Sequence, residues 1–346
     1  MEEKRDIKSL TYNELIAFCK KNNLPNYRAQ QISEWLWNKS ATSFEEMTSL
    51  PLKTRSKLKT CFTITYLKIF NKEKSIDGTV KYSFQTHDNL LIEGVLIPSK
   101  KRITACVSSQ IGCSLSCNFC ATGTLKLKRN LTFYEIYDQV FLLNLEAKNL
   151  FKKHLSNIVF MGMGEPLLNY NALINSINLI SSEKGLNFSP KRITVSTAGI
   201  AKIITKLGDD KVRFNLAISL HSANDYKRSK LMDINKKIPL NNLKNAISYY
   251  YQKTKNKITY EYILFDNIND NINDAEELAE FIKSTPCKIN LIEYNNIDGL
   301  AYKKSSRNNT INFIKYLEKK NITVTLRKSK GEDINAACGQ LVNKLS

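Results

Sequence analysis

The sequence lacks long apolar runs, which limits where the protein can act. No apolar stretch in its 346 residues approaches the ~18 residues that span a bilayer, and the N-terminal letters MEEKR lack the apolar segment of a secretory signal. We therefore expect a cytoplasmic protein that makes no use of a membrane. Because cytosolic thiols stay reduced, the 8 cysteines are expected to serve a metal or catalysis rather than structural disulfides.

Acidic residues are scarce relative to basic ones. Lys and Arg total 52 against 32 Asp and Glu, which gives a formal net charge of +20. Such a surface attracts polyanions, so nucleic acid is the first partner to consider. A general compositional bias toward Lys, Asn and Ile would also give a positive net charge, spread over the surface without forming a binding site. Charge therefore supports an RNA partner without establishing one.

The first part of the chain differs from the rest. Residues 1–90 are predicted to form a small N-terminal helical accessory domain that binds RNA, with strands that link it onward. The spacing of apolar residues and a candidate N-cap predict three short helices in this part. They lie at Thr11–Asn22, Arg28–Asn38 and Ser43–Met47. Alternating residues at Phe62–Phe70 and Thr79–Gln85 predict a small sheet that joins the two domains.

From residue 91 to residue 346, short β-rich runs alternate with helical segments. This alternation predicts an α/β core in which parallel strands form a sheet or barrel built from βα units. The candidate strands are Ile103–Ser108, Asn157–Met163, Arg192–Thr197, Asn215–His221, Ile258–Phe265, Lys288–Tyr294 and Ile322–Arg327. The candidate helices are Thr132–Leu150, Ala172–Ser182, Leu240–Gln252, Ala275–Ser284 and Asn309–Lys319.

Three cysteines with an unusual spacing follow the first of these strands. Cys113, Cys117 and Cys120 are separated by three and then two residues. Three thiolates can hold a 4Fe-4S cluster and leave one iron without a protein ligand, where a substrate can bind. A zinc site that takes its fourth ligand from elsewhere is the alternative. It is less favoured because the chain has only 3 His and no second CxxC pair.

Small and polar residues recur where successive candidate strands end. Any one of them alone would be read as a turn residue or a strand cap. Their recurrence predicts a ligand site at the carboxyl ends of the strands, which is where βα barrels carry their chemistry. The candidates are Gly164 and Glu165 within GMGEP, Ser196, Ser219, Leu220, His221 and Asn295.

The ordered motifs CVSSQxGCxxxCxFC, GMGEPLLN, SLHxxND, INKK, TPCKINLI and AACGQL resemble the RlmN/Cfr family of radical S-adenosylmethionine (radical SAM) RNA methyltransferases. The resemblance implies a partial (β/α)6 radical SAM barrel. It also implies that Cys113, Cys117 and Cys120 bind a 4Fe-4S cluster, and that the strand-end residues above bind S-adenosyl-L-methionine (SAM).

The same resemblance implies roles for three more residues. In this family a cysteine matching Cys338 accepts a methyl group from one SAM, and a radical derived from a second SAM activates that S-methyl group for addition to adenine. The cysteine matching Cys106 helps to resolve the protein–RNA adduct by forming a disulfide, and Glu93 matches the proposed proton acceptor. Taken by itself, Cys338 could equally be a small buried apolar residue, and Glu93 an ordinary strand carboxylate.

The implied substrate is carbon 2 of adenosine 2503 in 23S rRNA, with adenosine 37 of some tRNAs as a second target. The Cfr branch, which methylates carbon 8 of the same rRNA adenosine, is the alternative. GMGEPLLN and TPCKINLI look more like the carbon-2 branch. A non-catalytic, zinc-containing RNA-binding protein is a further alternative. A flavodoxin-type or similar electron donor and a monomeric state complete the expectations.

Four other polar residues remain open to two interpretations. Asn224 and Arg228 follow His221 and could contact SAM or RNA, or could begin a solvated helix. Arg327 and Lys328 could clamp phosphates or could be plain surface charge. The resemblance favours an RNA-facing role for this second pair, which is the one nearest Cys338.

Overall fold

The computed structural model describes residues 4–342. Residues 1–3 and 343–346, which belong to the two predicted domains, lie outside the described part. The strands are β1 Arg5–Asp6, β2 Phe62–Thr63, β3 Lys68–Lys74, β4 Val80–Gln85, β5 Leu91–Pro98, β6 Ile103–Cys106, β7 Gln110–Ile111, β8 Arg129–Asn130, β9 Asn157–Phe160, β10 Ile193–Thr197, β11 Asn215–Ser219, β12 Ile258–Leu264, β13 Cys287–Glu293 and β14 Val324–Arg327.

Eleven α-helices alternate with or precede these strands in the described residues. They are α1 Tyr12–Lys21, α2 Tyr27–Trp37, α3 Leu52–Cys61, α4 Phe133–Phe151, α5 Tyr170–Ser181, α6 Ala201–Asp209, α7 Asp225–Leu231, α8 Ile234–Lys237, α9 Leu240–Thr254, α10 Ile272–Ile282 and α11 Arg307–Lys319. Within residues 4–342, no helix has both the length and the apolar character needed to cross a membrane.

One ten-stranded sheet carries the fold, in the order β14-β13-β12-β11-β10-β9-β6-β5-β4-β3. The seven strands from β6 to β14 in this sheet are parallel to one another. Each of the first six is followed by helix before the next one begins, so the chain forms six βα units closed by β14. The predicted α/β class and partial (β/α)6 barrel are confirmed.

The strands that the sequence assigned to a small joining sheet largely extend this main sheet instead. The predicted strand Thr79–Gln85 corresponds to β4, but Phe62–Phe70 is divided between β2, which pairs with β1 in a separate sheet, and β3 of the main sheet. β3, β4 and β5 pair antiparallel with one another, and β5 pairs antiparallel with β6. Tyr82 and Phe84 of β4 are completely buried, so this strand belongs to the common hydrophobic core. The pairing partner of β5 could not be inferred from its own alternation, because β-propensity does not specify which strand lies alongside.

The first two predicted helices are confirmed, but the third is wrong. α1 begins with a capping box in which the Thr11 side chain and Glu14 bond reciprocally. Residues at the predicted third helix form turns, because the Glu46 carboxylate accepts hydrogen bonds from the hydroxyls of Thr42 and Ser43. The helix begins after Pro51, whose φ of −56° suits a helix start.

A buried ion pair fastens the N-terminal residues to α4. Lys8 Nζ donates to both carboxylate oxygens of Asp138 at 2.8 and 2.9 Å, and both side chains are almost completely buried. The Tyr137 hydroxyl, on the same helix, donates to the Trp37 carbonyl at 2.5 Å. The N-terminal helices therefore dock on the first helix that follows the three-cysteine loop.

Replacing Lys8 by Met should cost about 3–5 kcal/mol of unfolding free energy, because it leaves the Asp138 carboxylate buried without its counter-charge. Urea denaturation measures this loss. Lys59→Met is the matched control, since its 2.6 Å pair with Glu45 is more than half exposed and its removal should cost far less stability. Equal losses in the two variants would contradict the buried-pair interpretation.

Candidate active site

The three predicted metal ligands lie in one loop that is fixed at several points. β6 ends at Cys106, and Cys113, Cys117 and Cys120 follow in the loop beyond it. The N–H of the residue after Cys117 donates to a carbonyl at the end of α7 at 3.0 Å. Gly123 allows the loop to fold tightly, since a Cβ there would lie 2.5 Å from the Cys117 carbonyl oxygen.

The surroundings of these thiols disfavour their ionised forms. Burial raises the pKa of Cys113 to about 11, and burial also raises the pKa values of Cys117 and Cys120. The negative charges of its two neighbours raise the pKa of Cys117 further. A thiolate set of this kind needs a positively charged centre, and three cysteines fit a 4Fe-4S cluster with one open iron. Among the described residues, no set of three or more His, Cys, Asp or Glu side chains is arranged to hold a single metal ion.

The three cysteines face a cavity at the carboxyl ends of β9, β10 and β11. Five of the seven predicted SAM-binding residues line this cavity together with them. They are Gly164, Glu165, Ser196, Ser219 and His221. The other two lie elsewhere: Leu220 is buried in the main core, and Asn295 lines a second cavity.

Two glycines of the GMGEP motif bring β9 against the cysteine loop. A Cβ on Gly162 would lie 2.7 Å from the Val107 carbonyl oxygen and 2.7 Å from the Ser108 hydroxyl. Gly164 has a φ of +92°, and a Cβ there would lie 2.5 Å from the Cβ of Gln110. The close approach that requires these glycines is therefore to the protein's own loop. It fixes where the next residue, Glu165, enters the cavity.

Glu165 is a buried carboxylate held by two backbone N–H groups. Its Oε2 accepts from Ala198 at 2.7 Å and its Oε1 from Leu167 at 3.0 Å. Burial raises the pKa of Glu165 to about 6, and the two hydrogen bonds oppose that shift. The carboxylate is mainly ionised at neutral pH, so it offers negative charge to a cationic group such as an amine.

His221 is held as a neutral imidazole. Its Nδ1 accepts a hydrogen bond from the Ile263 N–H at 3.1 Å, which leaves the ring proton on Nε2. Burial is the main cause that lowers the pKa of His221 to about 3, with the positive charge of Arg228 second. The ring packs edge-on against Phe119 at a centroid distance of 4.8 Å. This residue can therefore donate a hydrogen bond to a ligand but does not carry charge.

The predicted methyl-accepting cysteine lies where two cavities meet. Cys338 lines the cavity of the three cysteines and also a second cavity that contains Cys106, Asn295 and Arg327. Asn295 Nδ2 donates to the Cys338 carbonyl at 3.3 Å, so Asn295 positions this segment. Burial raises the pKa of Cys106 to about 12, and the charge of Cys338 raises it further. Residues far apart in the sequence are thus brought together.

The segment that follows Cys338 is anchored by three hydrogen bonds. The Gly339 carbonyl accepts from the Ala121 N–H at 2.7 Å, and the Leu341 carbonyl accepts from the Thr122 hydroxyl at 2.6 Å. The N–H of residue 342 donates to Oε2 of Glu93 at 2.8 Å. Glu93 is buried beside this segment and is not among the residues that line the two cavities.

Sequence reasoning did not find Glu261, and it left Arg327 open between phosphate binding and plain surface charge. Glu261 of β12 lines the first cavity, and its carboxylate accepts from Asn290 Nδ2 at 2.8 Å. Arg327 approaches the same carboxylate at 3.4 Å from the second cavity, rather than forming only an outer surface charge. The sequence did contain a signal for Glu261, which is the single carboxylate in the strand TYEYIL. Acids are rarely buried without a partner, so an acid in such a strand indicates a specific contact.

Comparisons with known proteins agree with this geometry. Residues 107–282 match the sequence model of the Radical SAM superfamily, and residues 5–64 match that of the Ribosomal RNA large subunit methyltransferase N-terminal domain. "Probable dual-specificity RNA methyltransferase RlmN" of Flavobacterium johnsoniae is 50% identical over 342 residues, covering 99% of this chain and 98% of that protein. "Dual-specificity RNA methyltransferase RlmN" of Nitratidesulfovibrio vulgaris is 44% identical, covering 97% and 94%.

A solved structure has the same architecture throughout. The crystal structure of a radical SAM methyltransferase from Sphaerobacter thermophilus superposes with a TM-score of 0.91 at 38% sequence identity, covering 97% of this chain and 99% of that one. Radical SAM enzymes carry a 4Fe-4S cluster and SAM, and the cysteine loop and its cavity fit both. Matched over nearly its whole length and in both of its parts, the chain belongs to the RlmN family of radical SAM RNA methyltransferases.

Proposed function

We propose that the protein methylates carbon 2 of adenosine 2503 in 23S rRNA and of adenosine 37 in some tRNAs, through a methyl group carried on Cys338. The observation that carries this proposal is the position of Cys338, which lines both the cavity of the three cysteines and the cavity that contains Cys106. A thiol at this junction can receive a group from one cavity and present it in the other.

The cysteine loop and the first cavity supply the binding functions. Cys113, Cys117 and Cys120 would hold the cluster. Glu165 would bind the amino group of SAM, and neutral His221 would donate a hydrogen bond to SAM. Bound together there, cluster and SAM supply one-electron chemistry and an electrophilic methyl group. The pair of hydroxyls on Ser196 and Ser219 lies 3.2 Å apart across two neighbouring strands and offers further polar contacts.

Cys338 would act first as a nucleophile. Its thiol would lose a proton to solvent, and its sulfur would bond to the methyl carbon of SAM as the bond from that carbon to the sulfonium sulfur breaks, with the electron pair going to the leaving thioether. The charge of Arg327 favours this step, because it opposes the burial that raises the pKa of Cys338. Alkylation of Cys338 should therefore accelerate as the pH rises toward the raised pKa of its thiol.

Cys106 and Glu93 would complete the reaction on the RNA side. After the methylene carbon joins adenine, Glu93 accepts the proton that leaves the ring. The adduct would give up one electron, which the bound cluster can take. The Cys106 thiol would lose its proton to solvent and its sulfur would bond to the Cys338 sulfur, while the bond from Cys338 to the methylene carbon breaks with its electron pair on that carbon. The carbon would take up a proton to become the product methyl group, and an external thiol would reduce the resulting disulfide. Both thiols line the second cavity, which supports this step.

The RNA and protein partners follow from the same proposal. The adenine must leave its stack to reach a thiol that lines a cavity, so looped or single-stranded RNA is the preferred substrate. Residues 1–90 would contact RNA, supported by the N-terminal sequence match and by the net charge of +20. We also propose a flavodoxin-type electron donor, a monomeric enzyme and a cytoplasmic location, where these RNAs are found.

Replacing Cys338 by Ala should abolish both the protein-borne methyl group and the methylated RNA. Intact-protein mass analysis and nucleoside mass spectrometry measure the two products. Cys287→Ala is the matched control, because Cys287 begins β13 and lines neither of the two cavities. Retention of 2-methyladenosine in Cys338→Ala would refute the proposal, and 8-methyladenosine from the wild type would assign the Cfr-type reaction instead.

Replacing Cys106 by Ala should leave Cys338 methylation intact and trap the protein covalently on its RNA, since the disulfide that releases the product cannot form. Denaturing electrophoresis with labelled RNA detects the trapped species. Cys19→Ala, another buried free cysteine, should turn over without trapping. Normal product release by Cys106→Ala would show that Cys106 does not resolve the adduct.

A further inference from the structure

Arg228 is a buried cation whose hydrogen bonds all end on neutral oxygens. It lies on α7 and is only 1% exposed. Its Nε donates to the Leu220 carbonyl at 3.0 Å and its Nη1 to Oδ1 of Asn235 at 2.7 Å. Its Nη2 donates to the carbonyls of Ala198 at 2.6 Å and Ser219 at 3.3 Å. Buried charges in proteins are normally paired, so this one calls for a counter-charge.

Arg228 stays charged at neutral pH, since burial lowers its pKa only to about 10. Two negative groups act on it, Cys117 and Asp225. Asp225 is exposed, and its carboxylate already accepts from Asn235 Nδ2 at 2.8 Å and from the Leu240 N–H at 2.9 Å. Cys117, in the three-cysteine loop, would carry negative charge once it binds the cluster, and it would then be the better-placed counter-charge inside the protein.

The helix that carries Arg228 is fastened to the same loop. The Asn118 N–H donates to the Leu231 carbonyl at 3.0 Å, and Asn118 Nδ2 donates to the Lys230 carbonyl at 2.7 Å. Leu231 and Met232 also pack in one apolar cluster with Phe119, which precedes the third cysteine. Arg228 is one helical turn from these contacts, so its position relative to the loop is fixed.

We propose that Arg228 is a positioning residue whose buried positive charge stabilises the negative charge added to the cysteine-bound cluster on one-electron reduction, which rests on the radical chemistry proposed above. The electron comes from the external donor, one iron–sulfur centre gains it, and no proton or covalent bond is involved. A fixed positive charge lowers the energy of the reduced form more than that of the oxidised form. The same guanidinium donates hydrogen bonds to carbonyls at the ends of β10 and β11. The test must therefore distinguish the effect of its charge from the effect of losing these hydrogen bonds.

The test is a redox titration of the anaerobic, cluster-loaded enzyme followed by electron paramagnetic resonance, without SAM or RNA. At the wild-type midpoint, Arg228→Met should lower the ratio of reduced to oxidised cluster about tenfold, which is 59 mV for a one-electron couple. Arg228→Lys keeps the charge and should stay within about threefold of the wild type. Lys230→Gln removes an exposed charge from the same helix and should have no effect.

Iron content and circular dichroism establish that each variant is folded and loaded. Arg228→Gln retains amide donors for the carbonyls and replaces the Met variant if that protein fails to fold; it should show the same tenfold loss. An unchanged midpoint potential in Arg228→Met or Arg228→Gln would overturn the inference. A midpoint potential of Arg228→Lys that falls as far as in those neutral variants would also overturn it. Because the midpoint requires only a bound cluster, these outcomes are independent of whether Cys338 carries a methyl group.

Discussion

Hydrogen bonds between the C-terminal segment and the cysteine loop hold the part of the chain that carries the Cys338 thiol. The Gly339 and Leu341 carbonyls accept from the residues that directly follow Cys120, and Glu93 of β5 accepts from the end of the segment. These contacts tie the last described residues to the first parallel unit of the sheet. Without them Cys338 would not be shared by two cavities, and neither cavity alone contains the groups that the proposed reaction needs.

The electrostatics of the site follow from burial more than from net charge. Glu165 keeps its charge because two N–H groups support it, His221 loses its charge, and Arg228 keeps its charge through neutral acceptors. A low-polarity interior strengthens each of these interactions. The chain's large positive charge acts instead at the surface, where it favours a polyanionic substrate but does not shape the chemistry.

The N-terminal part is integrated with the barrel. The buried pair of Lys8 and Asp138 joins it to α4, and β3 to β5 continue the main sheet. α4 begins soon after the cysteine loop, so the accessory helices rest on an element close to the site. This arrangement gives a proposed RNA-binding part a fixed position relative to the cavities.

Sequence alone determined the alternation of strands and helices, the three-cysteine loop and the polar residues at strand ends, because periodicity and spacing are local properties. Its motifs also determined the family. Only the tertiary structure decided that Asn295 positions Cys338, that Arg228 is buried rather than solvated, and that Glu261 enters a cavity. The helix predicted at Ser43–Met47 is absent for a related reason, because side-chain hydrogen bonds stabilise turns there instead. Burial and pairing depend on which distant segments pack together, and no local pattern contains that information.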